Sequence, residues 1–176
     1  SPPPPLMVTS FVRGARHAIV AMGAYPASGS TVGGTLVVQA SAGMLHIFGF
    51  VSGLPPSTTT GWHVHTGYTC DAADSVGGHY LNATGADPWA DTTYTSDANG
   101  VAEIALSMPG YSMDELQPVV GRAIVFHASS ARIGCGLITP STAKLALMSR
   151  YPGYSGGSSI AGLLAVEEAS AGLRIT

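Results

Sequence analysis

Short apolar or alternating segments, each closed by a turn-forming cluster, constrain this chain most. Strands are expected near residues 16–24, 34–40, 44–52, 60–66, 101–107, 121–127, 133–138 and 143–149. Ser28-Gly-Ser30, Ala42-Gly43, Leu54-Pro-Pro56, Asp97-Ala-Asn-Gly100 and Met108-Pro-Gly110 separate them. Strands this short and this evenly punctuated suit an antiparallel sandwich or barrel. A 10% charged content fits that reading, because helix-rich surfaces usually carry more Lys, Glu and Arg. Residues 67–96 form a long irregular stretch, of a length usually reserved for function. Asp114-Glu-Leu-Gln117 is expected to form a short helical turn with Ser112 as its cap.

Charge and cysteine content exclude some functions. The net charge is −3 with no basic run, so no nucleic-acid partner is expected. No apolar stretch is long enough to span a bilayer. Cys70 and Cys135 are the only cysteines. A single pair in a Ser/Thr/Pro-rich chain fits one disulfide in an oxidising compartment, with two free thiols as the alternative. Closing a loop of about 65 residues would contribute roughly 4 kcal/mol in the chain-entropy treatment. Asn82-Ala-Thr84 is an N-glycosylation sequon, which points the same way. An extracellular or secreted location, at a cell surface or in a cell wall, is therefore expected.

An internal repeat shapes the domain organisation. Met22-Gly-Ala-Tyr-Pro26 recurs as Met148-Ser-Arg-Tyr-Pro152. Ser30 to Ile47 matches Ser158 to Ile175, including Ala-Ser-Ala-Gly, with one extra residue read into the second copy. Residues 1–14 begin Ser-Pro-Pro-Pro-Pro and read as the end of a linker or stalk. Residues 15–142 read as one complete domain, and 143–176 as the first strands of a second. Neighbouring repeats, or other chains of an extracellular assembly, are the expected protein partners.

Four histidines carry the chemistry: His63 and His65 in Gly61-Trp-His-Val-His, His79 in Gly77-Gly-His-Tyr, and His127 in Ile124-Val-Phe-His. His63 and His65 stand two apart on an expected strand, so both imidazoles lie on one face. Four imidazoles suit copper. Arg132, in Arg132-Ile-Gly-Cys-Gly-Leu-Ile138, adds a permanent positive charge suited to a small anion. His17 and His46 read as ordinary strand positions. Gly121 is expected to permit close packing and Arg122 to pair with a local acid.

In order, Phe48-Gly-Phe-Val-Ser-Gly-Leu54, Gly61-Trp-His-Val-His65, Cys70, Gly77-Gly-His-Tyr-Leu-Asn82, Asp97-Ala-Asn-Gly-Val-Ala102, Val120-Gly-Arg-Ala-Ile-Val-Phe-His127 and Arg132-Ile-Gly-Cys-Gly-Leu-Ile138 resemble the Cu/Zn superoxide dismutase family over residues 17–140. The resemblance implies an all-β, eight-stranded Greek-key barrel and conversion of superoxide to dioxygen and hydrogen peroxide. It implies copper on His63, His65, His79 and His127, with His79 in the position that bridges copper and zinc. Catalytic roles fall to His79 and Arg132, and Cys70 and Cys135 match the family's disulfide. Two departures point to the copper-only branch, and tandem copies resemble its repeat proteins. Beyond His79 the only histidine is His127, so no zinc is expected, and only seven residues separate His127 from Cys135. Without zinc, the far nitrogen of His79 needs a partner. Asp87 and Asp91 are the candidates, and counting back from the Asp97 turn favours Asp91. Two other roles compete with dismutation: a structural repeat module with a vestigial or stabilising copper site, and copper storage or delivery.

Overall fold

The computed structural model describes residues 17–148, 153–157, 162–170 and 172–175. Its strands are β1 (His17–Ala24), β2 (Gly33–Ser41), β3 (Met44–Ser52), β4 (Thr59–Val64), β5 (Thr93–Thr95), β6 (Ala102–Pro109), β7 (Ala123–Ala128), β8 (Ala131–Leu137), β9 (Thr139–Ser141), β10 (Lys144–Met148), β11 (Gly162–Ala169) and β12 (Gly172–Ile175). Among the described residues no helix is long and apolar enough to cross a membrane.

Eight strands pair antiparallel in the order β5-β4-β7-β8-β1-β2-β3-β6, a nearly closed barrel. The chain crosses from β3 to β4 and from β6 to β7, which gives the expected Greek-key connectivity. Alternation decides which side chains fill it. On β3, Leu45, Ile47 and Val51 are buried, and Ala102, Ile104 and Met108 do the same on β6. Trp62 stacks on Phe126 across the β4–β7 pair, with ring centroids 5.6 Å apart. The expected strand 133–138 ends early. Ile138 leaves the ladder to bond with Gly121 and Arg122, and β9 then pairs with the start of β1. The short β5 also lay hidden in the long irregular stretch. The expected helical turn at 114–117 is instead a bend, although Ser112 makes the expected capping bond, its Oγ accepting from the Glu115 N–H at 2.9 Å.

Strands β10–β12 form a separate three-stranded sheet, with β11 beside β3. Its registers repeat those of the barrel. Met22 faces Gly34 in β1–β2, and Met148 faces Gly162 in β10–β11. Gln39 faces His46 and Val38 faces Ile47; Glu167 faces Arg174 and Val166 faces Ile175. The two hairpins are equally long, with Gly162 and Ile175 each 128 residues beyond Gly34 and Ile47, whereas Ala-Ser-Ala-Gly at 169–172 stands 129 beyond its first copy, so the extra residue before that motif is made up by one fewer after it. Residues 1–14 and the second Tyr-Pro pair, at 151–152, lie outside the described residues.

Gly49 marks the tightest inter-strand approach. Its φ is +146°, and a Cβ there would lie 2.2 Å from the Thr35 carbonyl oxygen and 3.0 Å from Leu36 Cα. Both are backbone atoms of a paired strand, so neither can move aside cheaply. Gly49→Ala is expected to destabilise the domain by more than about 2 kcal/mol. Urea unfolding should show a lower midpoint at unchanged m-value.

Candidate metal centre

The ladder between β4 and β7 sorts side chains to two faces. Trp62, Val64, Ile124 and Phe126 enter the barrel core. His63 pairs with Val125, and Val125 belongs to a second apolar cluster with Tyr25, Val76, Ala123 and Cys135 outside the barrel. The loop that follows β4 covers this outer face. The Cys70–Cys135 disulfide fastens it, with Cα atoms 5.8 Å apart. Backbone bonds from His65 N–H to Ala123 and from Gly67 N–H to Val76 hold it further.

His65 lies just past the end of β4, where it pairs with His79 in an isolated bridge. A bulge between Phe126 and His127 shifts the β7–β8 register, so that His127 faces Arg132. Tyr94 supports this point by donating to the His127 carbonyl at 2.7 Å. Gly61 leaves room for the first histidine: a Cβ at that position would lie 2.8 Å from His63 Cε1 and Nε2. The outcome is one cluster of His63, His65, His79 and His127, with candidate ligand atoms all within 4.8 Å of one another.

Hydrogen bonds decide which nitrogens remain free. His65 Nδ1 donates to the Gly77 carbonyl at 3.0 Å, leaving Nε2. His79 Nδ1 donates to Asp87 Oδ2 at 2.6 Å, leaving its Nε2 as well. His63 Nδ1, His65 Nε2 and His127 Nε2 are buried with no hydrogen-bond partner. Orphaned buried nitrogens are costly unless something binds them. Converging, partnerless imidazoles fit a borderline-to-soft divalent metal, copper among them.

Burial pushes the His63 imidazole down from 6.5 to about 3, and the neighbouring rings of His79, His127 and His65 add to this. Burial also lowers His65 to about 4, against the bond to Gly77 that favours its charged form. His127 is lowered by burial and by the Arg132 guanidinium. All three therefore stay neutral near pH 7, as a metal ligand must. Burial alone would raise the Asp87 carboxyl, but bonds from His79 and the Trp89 N–H hold it below its usual range.

The choice between the two aspartates is corrected. Asp87, not Asp91, takes the far nitrogen of His79, and Asp91 is exposed. Counting back from the Asp97 turn failed because a tryptophan fixes this loop. Trp89 is fully buried, its Nε1 donates to the Tyr80 carbonyl at 2.8 Å, and its backbone N–H donates to Asp87 Oδ1 at 3.0 Å. Arg132 donates through Nη2 to the Gly77 carbonyl at 2.8 Å and through Nη1 to the Tyr25 hydroxyl at 3.1 Å. Among the described residues Arg122 makes no ion pair with an acid. Its guanidinium lies 3.5 Å over the Tyr80 ring centroid, and it donates to the Pro118 and Thr66 carbonyls. Tyr68 lies against it as well, at 4.8 Å, so two aromatic rings flank the cation. Gly121 does permit close packing, since a Cβ there would sit 3.0 Å from Tyr68 Cδ1. His46 is a strand position bonded to Ser41 and Ser107.

Two outcomes follow from this electrostatics. Below pH 6.5 the unfolded chain protonates His63 and His65 while the folded chain does not. The metal-free domain should thus lose stability as pH falls from 6.5 towards about 4. Urea midpoints near pH 7 and about pH 5 check this, and His65→Gln should flatten part of the slope. Asp87→Asn should weaken copper affinity by about 10–100-fold, read by competition with a chelator.

The family model described as copper/zinc superoxide dismutase (SODC) matches residues 32–145. Cu-Zn superoxide dismutase 3 of Arabidopsis thaliana is 30% identical over 129 residues, spanning 57% of this chain and 78% of that one. Cu-Zn superoxide dismutase 2 of Mesembryanthemum crystallinum is 29% identical over 107 residues, spanning 55% of this chain and 68% of that one. The crystal structure of the clock protein EA4 superposes with a TM-score of 0.58 at 22% identity, covering 70% of this chain and 93% of that one, a likeness of fold alone. With the matched segment holding all four clustered histidines, the disulfide and Arg132, the chain belongs to the copper/zinc superoxide dismutase family.

Proposed function

We propose that this chain is an extracellular superoxide dismutase-like domain that uses copper without zinc and converts superoxide to dioxygen and hydrogen peroxide. One observation carries the reading: four imidazoles converge, and the nitrogen of His79 that a second metal would need is instead bonded to Asp87. Among the described residues no second group of metal-ligating side chains stands beside it. Copper, when bound, supplies the one-electron redox chemistry of both half-reactions.

The chain's own residues do the rest. His63 Nδ1 and Nε2 of His65, His79 and His127 are the atoms offered to the metal. Asp87 fixes the tautomer of His79, so that Nε2 serves as ligand atom and as proton site. Arg132 holds a positive charge at the edge of the cluster, where it draws in and orients a small anion. A two-residue turn, Ser129 and Ser130, joins β7 to β8, so no long loop covers the approach. With a net charge of −3, steering rests mainly on Arg132.

The location rests on the disulfide and the sequon. Thr84 is exposed and donates through Oγ1 to Oδ1 of the half-buried Asn82 at 2.8 Å. A second reading draws on the repeated strand registers. The likeness of the β10–β12 registers to those of β1–β3 supports a domain at 15–142 followed by the start of a second repeat at 143–176, and with a linker at 1–14 this would make a tandem array with an architectural role. The enzyme and the array are compatible.

Metal analysis and pulse radiolysis test the enzyme. The purified protein should hold about one copper and no zinc, and should turn over superoxide rapidly. Arg132→Ala should lower the rate about tenfold and weaken its salt dependence while copper content stays the same. Full copper with no turnover would favour storage or delivery, and a metal-free inactive protein would favour the architectural module.

A further inference from the structure

The repeated motif Met-x-x-Tyr-Pro has no part in the proposed mechanism so far. Its first copy contains Tyr25, which lies just beyond the β1–β8 pairs Gly23–Cys135 and Ala24–Gly134. The next register step places Tyr25 opposite Ile133, next in sequence to Arg132, and the Tyr25 N–H donates to the Ile133 carbonyl at 2.9 Å. Ser28 then folds back on the Tyr25 carbonyl, and Ser30 Oγ bonds the Ile133 carbonyl. The backbone around Tyr25 is thereby fixed to β8 on both sides of the ring.

The phenol has both of its hydrogen-bonding roles filled. It donates its proton to the Ala73 carbonyl at 2.9 Å. That commitment turns a lone pair towards Arg132, whose Nη1 donates to it at 3.1 Å. The Tyr25 ring itself is only 7% exposed, among Val76, Ala123, Val125 and Cys135, and its centroid lies 5.8 Å from Arg132 Cζ. Arg132 is held at its other corner by the Gly77 carbonyl, which also accepts the Nδ1–H of His65. Two anchors fix a planar guanidinium in orientation as well as position, where one would leave it free to swing. Its remaining N–H groups are then free to face an incoming anion.

We propose that Tyr25 is a positioning residue for Arg132: its hydroxyl, oriented by the Ala73 carbonyl, aims the guanidinium at the anion path beside the four histidines. This rests on the dismutase reading for its purpose, but not for its geometry. The recurrence of Tyr-Pro at 151–152 is the sequence trace expected if each repeat needs the same support.

Tyr25→Phe keeps the buried ring and removes only the hydroxyl. In the full chain without metal, the Arg132 Nε–H signal in nitrogen-15 spectra should broaden and exchange with solvent about tenfold faster. In the copper-loaded chain, azide affinity read from the visible spectrum should fall about tenfold, with copper content and the spectrum of the azide-free form unchanged. The superoxide rate should fall by a similar factor. Unchanged Arg132 exchange and azide affinity in this variant would overturn the proposal. If the variant misfolds, the wild-type chain decides: a protected Tyr25 hydroxyl proton with a cross-peak to the Arg132 Nη protons supports it, and no such proton overturns it. A wild-type chain that shows the cross-peak yet fails to consume superoxide would sink the dismutase reading and leave the Tyr25–Arg132 contact standing.

Discussion

Residues 65–91 are held against the outer face of β4, β7 and β8, and every feature of the metal centre depends on that attachment. The disulfide fixes one end of the segment to β8, and the buried Trp89 fixes the other into the end of the barrel. Between them, the Gly77 carbonyl accepts from both His65 and Arg132. One backbone oxygen thus ties one of the four clustered imidazoles to the cation beside it. Detaching the segment would leave His63 and His127 on the barrel and carry His79 and Asp87 away.

The price of this arrangement is three buried imidazole nitrogens without partners in the metal-free chain. Each such group costs about 1–3 kcal/mol when nothing satisfies it. A bound metal removes that cost, so metal affinity and folding free energy are linked. The same burial keeps the rings neutral and ready to bind. Asp87 adds the complementary term: a carboxylate on His79 sets its tautomer and strengthens its free nitrogen as a donor.

Strand periodicity makes most of the barrel legible in the sequence, because inward and outward positions alternate with burial. The four histidines were equally legible, since residue type and local spacing carry the metal chemistry. What misled were contacts set by loops. Asp91 looked closer to the right position by counting, yet burial of Trp89 and its N–H bond to Asp87 decided the matter. Arg122 looked like half of an ion pair, yet two tyrosine rings lie against it. Tyr25 was visible only as part of a repeat, because its partner is 107 residues away in sequence.

The sequence by itself determined an all-β antiparallel fold, a histidine quartet suited to copper and an internal repeat. These follow from local patterns: alternation, residue chemistry and self-similarity within the chain. Only the tertiary structure decided which carboxylate meets His79 and what orients Arg132. Those depend on which distant backbone groups are brought within hydrogen-bond reach, and a short-range interaction between residues far apart in the chain leaves no mark in local spacing.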